Sequence, residues 1–397
     1  MRISTAQIHS NALSAMMRRQ TELSKTQTEV SSGKRVNKPS DDPVAMTRIL
    51  QLEQQKAANT QFASNSAAAT TRLNLEEQAL ADTETAIQRV YELTVQANSS
   101  GLNASDRDSI VTELKSLKSQ LVDLANRKDT NNEYLFSGYA SGTQPFTLDS
   151  AGNVAYSGAT ATRSLQVSSS QYVSDGDAGN SVFMNIASGN GLFASSATST
   201  NTGTGVINGS IADRSAWVAD DYTLSFNGGN WTVTDSSNNT VATGAYTAGA
   251  AINFNGAQLT VTGTPADGDS FTIANSSNED IFTTIDKLTA AISAPQDTDA
   301  QKAQYQNSLN AAMTQLEQAE THTLSVRTSV GVRLSSLQTI DTTREDTLAN
   351  ITVALSGLQD SDYAAAVSRL SQQYVGLQAA QQSYAKIAQL SLFNYIK

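Results

Sequence analysis

Residues 363–397 read YAAAVSRLSQQYVGLQAAQQSYAKIAQLSLFNYIK, and their spacing decides how the rest of the chain is read. Val367, Leu370, Tyr374 and Leu377 fall three and four apart. Tyr384, Ile387 and Leu390 resume that spacing after a small shift, with Phe393 close behind. This is the pattern of an amphipathic helix. Between Val367 and Ile396 the only charges are Arg369 and Lys386, and the face away from the stripe is Gln, Ser and Ala. A solvated bundle helix usually carries Glu and Lys there, so the composition fits a helix wrapped on several sides by other protein. It fits equally an ordinary bundle helix with a Gln-rich surface.

Working outward, the other chain end supplies a partner of the same kind. Met16, Leu23 and Val30 are seven apart, with Ala6 and Leu13 on the adjoining seam, as in a short coiled coil. Gln20 and Gln27 interrupt that adjoining seam. A pair of such helices gains most of its stability from tertiary packing, which predicts that the two ends order on assembly with neighbouring protein.

The segment SSGKRVNKPSDDP, residues 31–43, breaks the first helix. Gly33 suits a helix C-cap, Pro39 holds Lys38 extended, and Ser40 is placed to cap a new helix with Asp41, Asp42 and Pro43 in its first turn. The two carboxylates meet the positive end of the helix dipole more naturally than they form a catalytic pair. From residue 40 to about 97 a heptad seam runs through Leu52, Phe62, Ala69, Leu73, Leu80, Ile87 and Val90. That helix would be on the order of 85 Å long at 1.5 Å per residue, a rod. After NSSG at 98–101, Ser105 and Asp106 open another helix with the stripe Ile110, Leu114, Leu117, Leu121 and Leu124, implying an antiparallel helical hairpin.

Helical periodicity is lost between residues 138 and 277, which are rich in Gly, Ser, Thr and Asn. DSAGN at 149–153 is a hairpin turn between two short strands, and residues 189–209 read as a Ser/Thr/Gly linker. Six alternating runs between Tyr222 and Ile273 then suit a small antiparallel β-domain. Helix returns at Ile281, breaks at Pro295, and resumes from Tyr305 to Leu355. A helix, β-insertion, helix order requires the long helices to pair antiparallel, with the chain ends together and the β part at the distal end. The expected fold is thus mainly α with inserted β, a long antiparallel helical bundle or coiled coil built from both chain ends. Its divisions are 1–39 with 360–397 as an inner coiled-coil layer, 40–137 with 278–359 as the rod, 138–195 as a β-hairpin region, and 196–277 as the inserted β-domain.

Composition excludes whole classes of function. A net charge of −11 argues against nucleic acid and anionic membrane surfaces. No apolar run approaches the roughly 20 residues that span a bilayer, and residues 1–30 lack the pattern of a cleaved signal peptide. The chain has no Cys and 2 His, His9 and His322, both in helical stretches and read as surface or seam residues. GTPADGDS at 263–270 lacks the carboxylates of a calcium loop and reads as a β-turn. No phosphate-binding loop, nucleophile elbow, metal set or cofactor site is visible, and no enzyme is expected.

The terminal motifs now acquire a family. The first helix followed by SSGKRVN (31–37) and SDD (40–42), together with LQAA (377–380) and LSLFNY (390–395), resembles the flagellin superfamily, over the helical half of the chain. Within it, MRIS (1–4), NKPSDDP (37–43), YLFSGY (134–139) and GTQPF (142–146) resemble the hook-filament junction branch rather than filament flagellins. The segment from Tyr222 to Phe271 is similar to a β-domain inserted in several flagellins and junction proteins. The resemblance implies a structural protein of the bacterial flagellum, exported unfolded by the flagellar type III route, without catalysis. Implied partners are copies of itself in a ring, hook-associated protein 1, flagellin, and a cytoplasmic export chaperone on the C-terminal helix. The expected interface residues are Leu13, Met16, Leu23, Val30, Val367, Leu370, Tyr374, Leu377, Tyr384, Ile387, Leu390 and Phe393. Two alternatives stand beside it: filament flagellin, with the same fold, or an extracellular module whose Trp231, Tyr222 and Tyr246 stack on a glycan or receptor.

Overall fold

The computed structural model describes the backbone of residues 5–99, 101–150 and 152–393, and their side chains except at 5, 6, 8 and 387–393. Six α-helices, two shorter helical turns and fourteen strands occur among the described residues. Gly33 adopts φ +68 and its N–H donates to Glu29 O at 2.9 Å, closing α1 (Thr5–Ser32) as its position after Ser32 implies. The cap of α2 (Pro43–Ala97) is Asp42, whose Oδ1 accepts from the Ala45 N–H at 3.0 Å, and not Ser40. Pro43, which has no N–H to satisfy, takes the first helical position, and that sets the cap one residue before it. Asn103 and Asp106 form a reciprocal capping box on α3 (Ala104–Ala125), which therefore opens one residue before Ser105. Asp280 caps α4 (Ile281–Ser293), and Asp362 accepts from the Ala365 N–H at the start of α6 (Tyr363–Phe393). Between them lies α5 (Asp299–Gln359), with 61 residues.

The chain divides into two compact units, one of residues 1–64 and 340–397 and the other of 65–339. Both divisions fall inside α2 and α5, whereas the sequence reading divided the chain at 39/40 and 359/360.

In the first unit α1 and α6 pack antiparallel, because Glu29 meets Arg369 while His9 meets Tyr384 at the other end. The chain segments entering and leaving this pair are joined by backbone. Arg35 N–H donates to Gln359 O at 2.7 Å, Ser361 N–H donates to Gly33 O at 2.9 Å, and Lys34 bridges Asp360. Beneath this joint, Val36, Ala45, Ile49 and Leu52 form a core with Ile351 and Leu355 of α5.

In the second unit the helical stripes are buried as their periodicity demands: Leu73, Leu80, Ile87 and Val90 of α2, Leu114 and Leu121 of α3, and Leu309, Leu316 and Leu337 of α5. Here α2 and α5 are antiparallel, since Gln88 bonds Glu320 and Arg327 bonds Glu77. The YLFSGY and GTQPF motifs bury Phe136 and Phe146 with Phe183 and Phe282, Phe136 meeting Phe183 at 5.1 Å and Phe146 meeting Phe282 at 5.6 Å between centroids.

The β region begins with the expected hairpin of β1 (Phe146–Leu148) and β2 (Val154–Tyr156), whose turn is fixed by Asn153 N–H donating to Asp149 Oδ1 at 2.8 Å. A second hairpin pairs β3 (Ser164–Gln166) with β4 (Tyr172–Ser174), and β5 (Ile186–Ala187) pairs with a strand from the far end of the insertion. The remaining strands are β6 (Phe193–Ala197), β7 (Val206–Ile211), β8 (Tyr222–Asn227), β9 (Asn230–Thr234), β10 (Thr240–Ala245), β11 (Ala251–Phe254), β12 (Ala257–Thr262), β13 (Ser270–Asn275) and β14 (Asn278–Glu279), the partner of β5. They form a five-stranded sheet in the order β10-β9-β8-β13-β6 and a three-stranded sheet in the order β11-β12-β7, around Phe193, Leu224, Val233, Leu259, Phe271 and Ile273. Residues 189–209 are therefore not a linker; they supply β6 and the start of β7. Their alternation is hidden because Gly209 stands where a side chain would be expected. A Cβ there would lie 2.7 Å from Phe193 Cε2, so one aromatic fills the space of two residues.

Candidate assembly surface

The pairing of α1 with α6 leaves two kinds of apolar position. On α6, Ala366, Leu370, Gln373, Leu377, Ala380 and Tyr384 are buried or half-buried, spaced alternately four and three apart, with Gly376 half-buried beside them. On α1 the matching positions are His9, Ala12, Met16, Leu23, Thr26 and Val30. Arg19 completes the α1 row, since a Cβ on Gly376 would lie 2.7 Å from its guanidinium. The row that adjoins Met16, Leu23 and Val30 is thus Ala12, Arg19 and Thr26, one residue before the Leu13, Gln20 and Gln27 row suggested by periodicity. In the 12/19/26 row Ala12 and Thr26 are small, and the Arg19 guanidinium lies over Gly376 of α6, where the absence of a side chain leaves room for it.

The expected interface residues separate accordingly. Met16, Leu23, Val30, Leu370, Leu377 and Tyr384 are half-buried within the described α1–α6 seam. Leu13, 47% exposed, and Tyr374, 62% exposed, lie outside it, as does Val367. Met17, Tyr363 and Val375 join that exposed set without having been singled out by periodicity. Ile387, Leu390 and Phe393 lie outside the described side chains, as does Ala6. Tyr363, Val367 and Tyr374, four and seven apart, run along one line of α6 and are exposed, Val367 the least of the three. A row of large apolar side chains held in water is a surface awaiting a partner.

The polar groups around the seam hold its geometry. Glu29 Oε1 accepts from Arg369 at 2.7 Å and from Ser361 Oγ at 2.6 Å. Asp41 pairs with Lys25 at 3.2 Å and accepts from the backbone N–H groups of Asn37 and Lys38, and the Lys25 ammonium first, then those N–H groups, hold its carboxyl below the ordinary value. Asp41 and Asp42 therefore act as loop and helix anchors. His9 presents a ring edge to Tyr384 at 5.6 Å, and His322 Nε2 lies 2.7 Å from Ser181 O in the second unit. Among the described residues no three His, Asp or Glu side chains are grouped to hold a metal, and no helix is long and apolar enough to cross a membrane.

The aromatic residues considered for glycan stacking are engaged in the β-domain. Tyr222 is buried, Tyr246 donates its hydroxyl hydrogen toward Val261 O and Gly263 O, and the Trp231 ring covers Gly244, where a Cβ would come within 2.7 Å. Tyr222 belongs to the β-domain core, and Trp231 and Tyr246 are partly buried against it. Similarly, Asp269 in the supposed calcium loop is buried and accepts backbone N–H groups of Thr202, Gly203 and Ala266, while Asp267 accepts from Gly228 N–H.

Comparison with known proteins places this geometry. The family model described as the bacterial flagellin N-terminal helical region matches residues 3–141, and that of the flagellar hook-associated protein 1 D2-like domain matches residues 196–275. The crystal structure of FlgL from Xanthomonas campestris is 38% identical, with a TM-score of 0.69 over 74% of this chain and 99% of that one. The chain belongs to the flagellar hook-associated protein 3 (FlgL) family. The flagellar junction protein FlgL from Legionella pneumophila agrees, at 35% identity and a TM-score of 0.71 over 79% of this chain and all of that one, 100%. Flagellar hook-associated protein 3 of Salmonella typhimurium is 37% identical over 188 residues, 47% of this chain and 58% of that protein, so the match spans under two thirds of that curated relative. Membership of the FlgL family accounts for the mainly helical fold with its inserted β-domain.

Proposed function

We propose that this chain is a structural, non-enzymatic subunit of the bacterial flagellum that joins the hook to the flagellin filament through its terminal helices. The observation that carries this reading is the α1–α6 pair. One face closes on itself through the 9/12/16/19/23/26/30 and 366/370/373/377/380/384 rows, and Leu13, Met17, Tyr363, Val367, Tyr374 and Val375 are left in water. Helices with few charges and an unfilled apolar row gain stability by packing against like helices of neighbouring subunits.

In this reading the subunits form a ring of identical copies, contacting hook-associated protein 1 on one side and flagellin on the other. Head-to-tail contacts let one subunit present unlike surfaces to the two neighbours. Before assembly the protein leaves the cell through the flagellar type III channel, and a cytoplasmic chaperone covers α6. The names of the hook-associated protein 3 relatives and of the junction-protein structure support this assignment.

The test is removal of residues 364–397 in a strain otherwise lacking the protein. Hooks without filaments, with flagellin lost to the medium, are expected in electron micrographs. Normal filaments on the truncated protein would refute the proposal.

A further inference from the structure

The most heavily charged interior of the molecule lies in the second unit, around Glu76 of α2. This carboxyl is 1% exposed. Its Oε1 accepts from the Asp177 N–H at 3.0 Å, whereas Oε2 is buried with no hydrogen-bond partner. The segment 175–179, which follows β4, lies directly on it: a Cβ on Gly176 would stand 3.8 Å from Glu76 Oε2 and 3.6 Å from Arg72 Nε.

The charged groups facing this site come from four elements. On α2, Arg72 is paired with Asp129 at 2.8 Å, Glu133 at 3.5 Å and Asp175 at 3.8 Å, and donates to Tyr134 O. From the turn after α3 come Asp129 and Glu133. From the β3–β4 region Arg163 pairs with Asp175 at 2.6 Å, and Asp177 approaches Glu76 itself. From α5, Arg333 bonds Asp177, and Arg327 is held away by Glu77 and Glu84. Five carboxyls (Glu76, Asp129, Glu133, Asp175, Asp177) thus share three guanidinium groups (Arg72, Arg163, Arg333). The four other acids each have a guanidinium partner, and Glu76 has none.

We propose that Glu76 is a proton-held latch, and that segment 175–179 docks on α2 and α5 more tightly with a proton on this carboxyl than without one. An ionised Glu76 would place a charge in the interior beside the Asp177 carboxylate, offset only in part by Arg333, which is bonded to Asp177. A neutral Glu76 keeps the hydrogen bond from Asp177 N–H and removes the repulsion. Burial first, and the neighbouring Asp177 carboxylate second, push the Glu76 carboxyl from 4.5 up to about 8. When the segment lifts away and water enters, the carboxyl returns toward its ordinary value. The docked state therefore holds more protons than the open state between those two values. Docking is strongest at the acid end of this window, weakens as pH rises through it, and changes no further above about 8.

Hydrogen exchange of the full-length protein tests this, read on amides 172–184 between pH 5.5 and 9 and corrected for the intrinsic pH dependence of exchange. Protection is expected to fall about tenfold per pH unit up to about pH 8 and then to level off, which is the slope of one coupled proton. Glu76→Gln, which retains the acceptor oxygen and cannot ionise, is expected to flatten the profile. Asp177→Asn removes the repelling neighbour and is expected to move the levelling point to lower pH. A wild-type profile without slope, or the same slope in Glu76→Gln, would overturn the proposal. The Asp177→Asn profile decides the matter if the glutamine variant fails to fold: an unmoved levelling point overturns it.

Discussion

Arg369 on α6 places its guanidinium 2.7 Å from Glu29 Oε1 on α1, and Ser361 Oγ donates to the same oxygen at 2.6 Å. The two partners are unequally placed: the Glu29 side chain is 12% exposed and that of Arg369 is 51% exposed. The carboxylate is thus committed to the seam, while the cation remains largely in water. The contact sits where α1 ends and α6 begins, beside the backbone joint of residues 33–35 with 359–361. It fixes the relative register of the two helices before their exposed rows meet any partner.

Removing Glu29 should therefore cost more than removing Arg369. Glu29→Ala leaves Ser361 and Arg369 without their acceptor and is expected to destabilise the α1–α6 pair by about 1–3 kcal/mol. Arg369→Ala should cost less than about 1 kcal/mol, since its pairing is screened by water. Hydrogen exchange along α1 and α6 measures both, and equal losses of protection would count against the asymmetry.

The exposed row of α6 predicts a separation of stability from assembly. Tyr374→Asp combined with Val367→Asp should leave the isolated protein within about 0.5 kcal/mol of wild type, because neither side chain is in the seam. Filament attachment should be lost. Cells carrying the double variant, scored for filaments by electron microscopy, provide the readout, and wild-type filaments would show that this row contacts nothing.

Gly138, within YLFSGY, has φ +60, and a Cβ on it would lie 2.3 Å from Ala159 O and 2.6 Å from Ala161 O. Both atoms are backbone and cannot swing aside. Gly138→Ala is expected to destabilise the second unit by about 1–3 kcal/mol, through left-handed strain together with the clash. Gly33→Ala, with a similar φ and nothing within 4 Å of the added Cβ, should cost less. Thermal unfolding of the two variants side by side gives the comparison.

Asn307 of α5 is a tie between helix and β-domain: its Oδ1 accepts from Ile207 N–H at 2.8 Å and its Nδ2 donates to Gly205 O at 3.0 Å. Asn307→Ala strands both buried backbone groups. The loss should be about 1–3 kcal/mol, and a fall in Tm of the second unit is the measurement. Increased exchange at residues 205–209 should accompany it.

Most helices were legible in the sequence because their signals are local. Gly33 after Ser32, Pro43 after two Asp residues, and heptad rows such as Leu73, Leu80 and Ile87 each carry their own physical cause within a few residues. The alternating runs from Tyr222 to Ile273 were legible for the same reason. Residues 189–209 were not, since β6 and β7 share one space between Phe193 and Gly209 and neither strand alternates by itself. The Glu76 cluster was equally invisible. Its members lie up to 261 residues apart, from Arg72 to Arg333, and only the fold makes five acids neighbours.

What the sequence determined by itself is which long segments are helical and that the stretch from Tyr222 to Ile273 is extended, since backbone propensity and side-chain period act over one or two turns. It also determined family membership, through motifs at the two chain ends. The tertiary structure alone decided which apolar row of α6 is closed by α1 and which stays open, which carboxyl lacks a counter-ion, and which aromatics brace the sheets. Those outcomes depend on what packs against each face, and packing partners are chosen by chain segments far away in sequence.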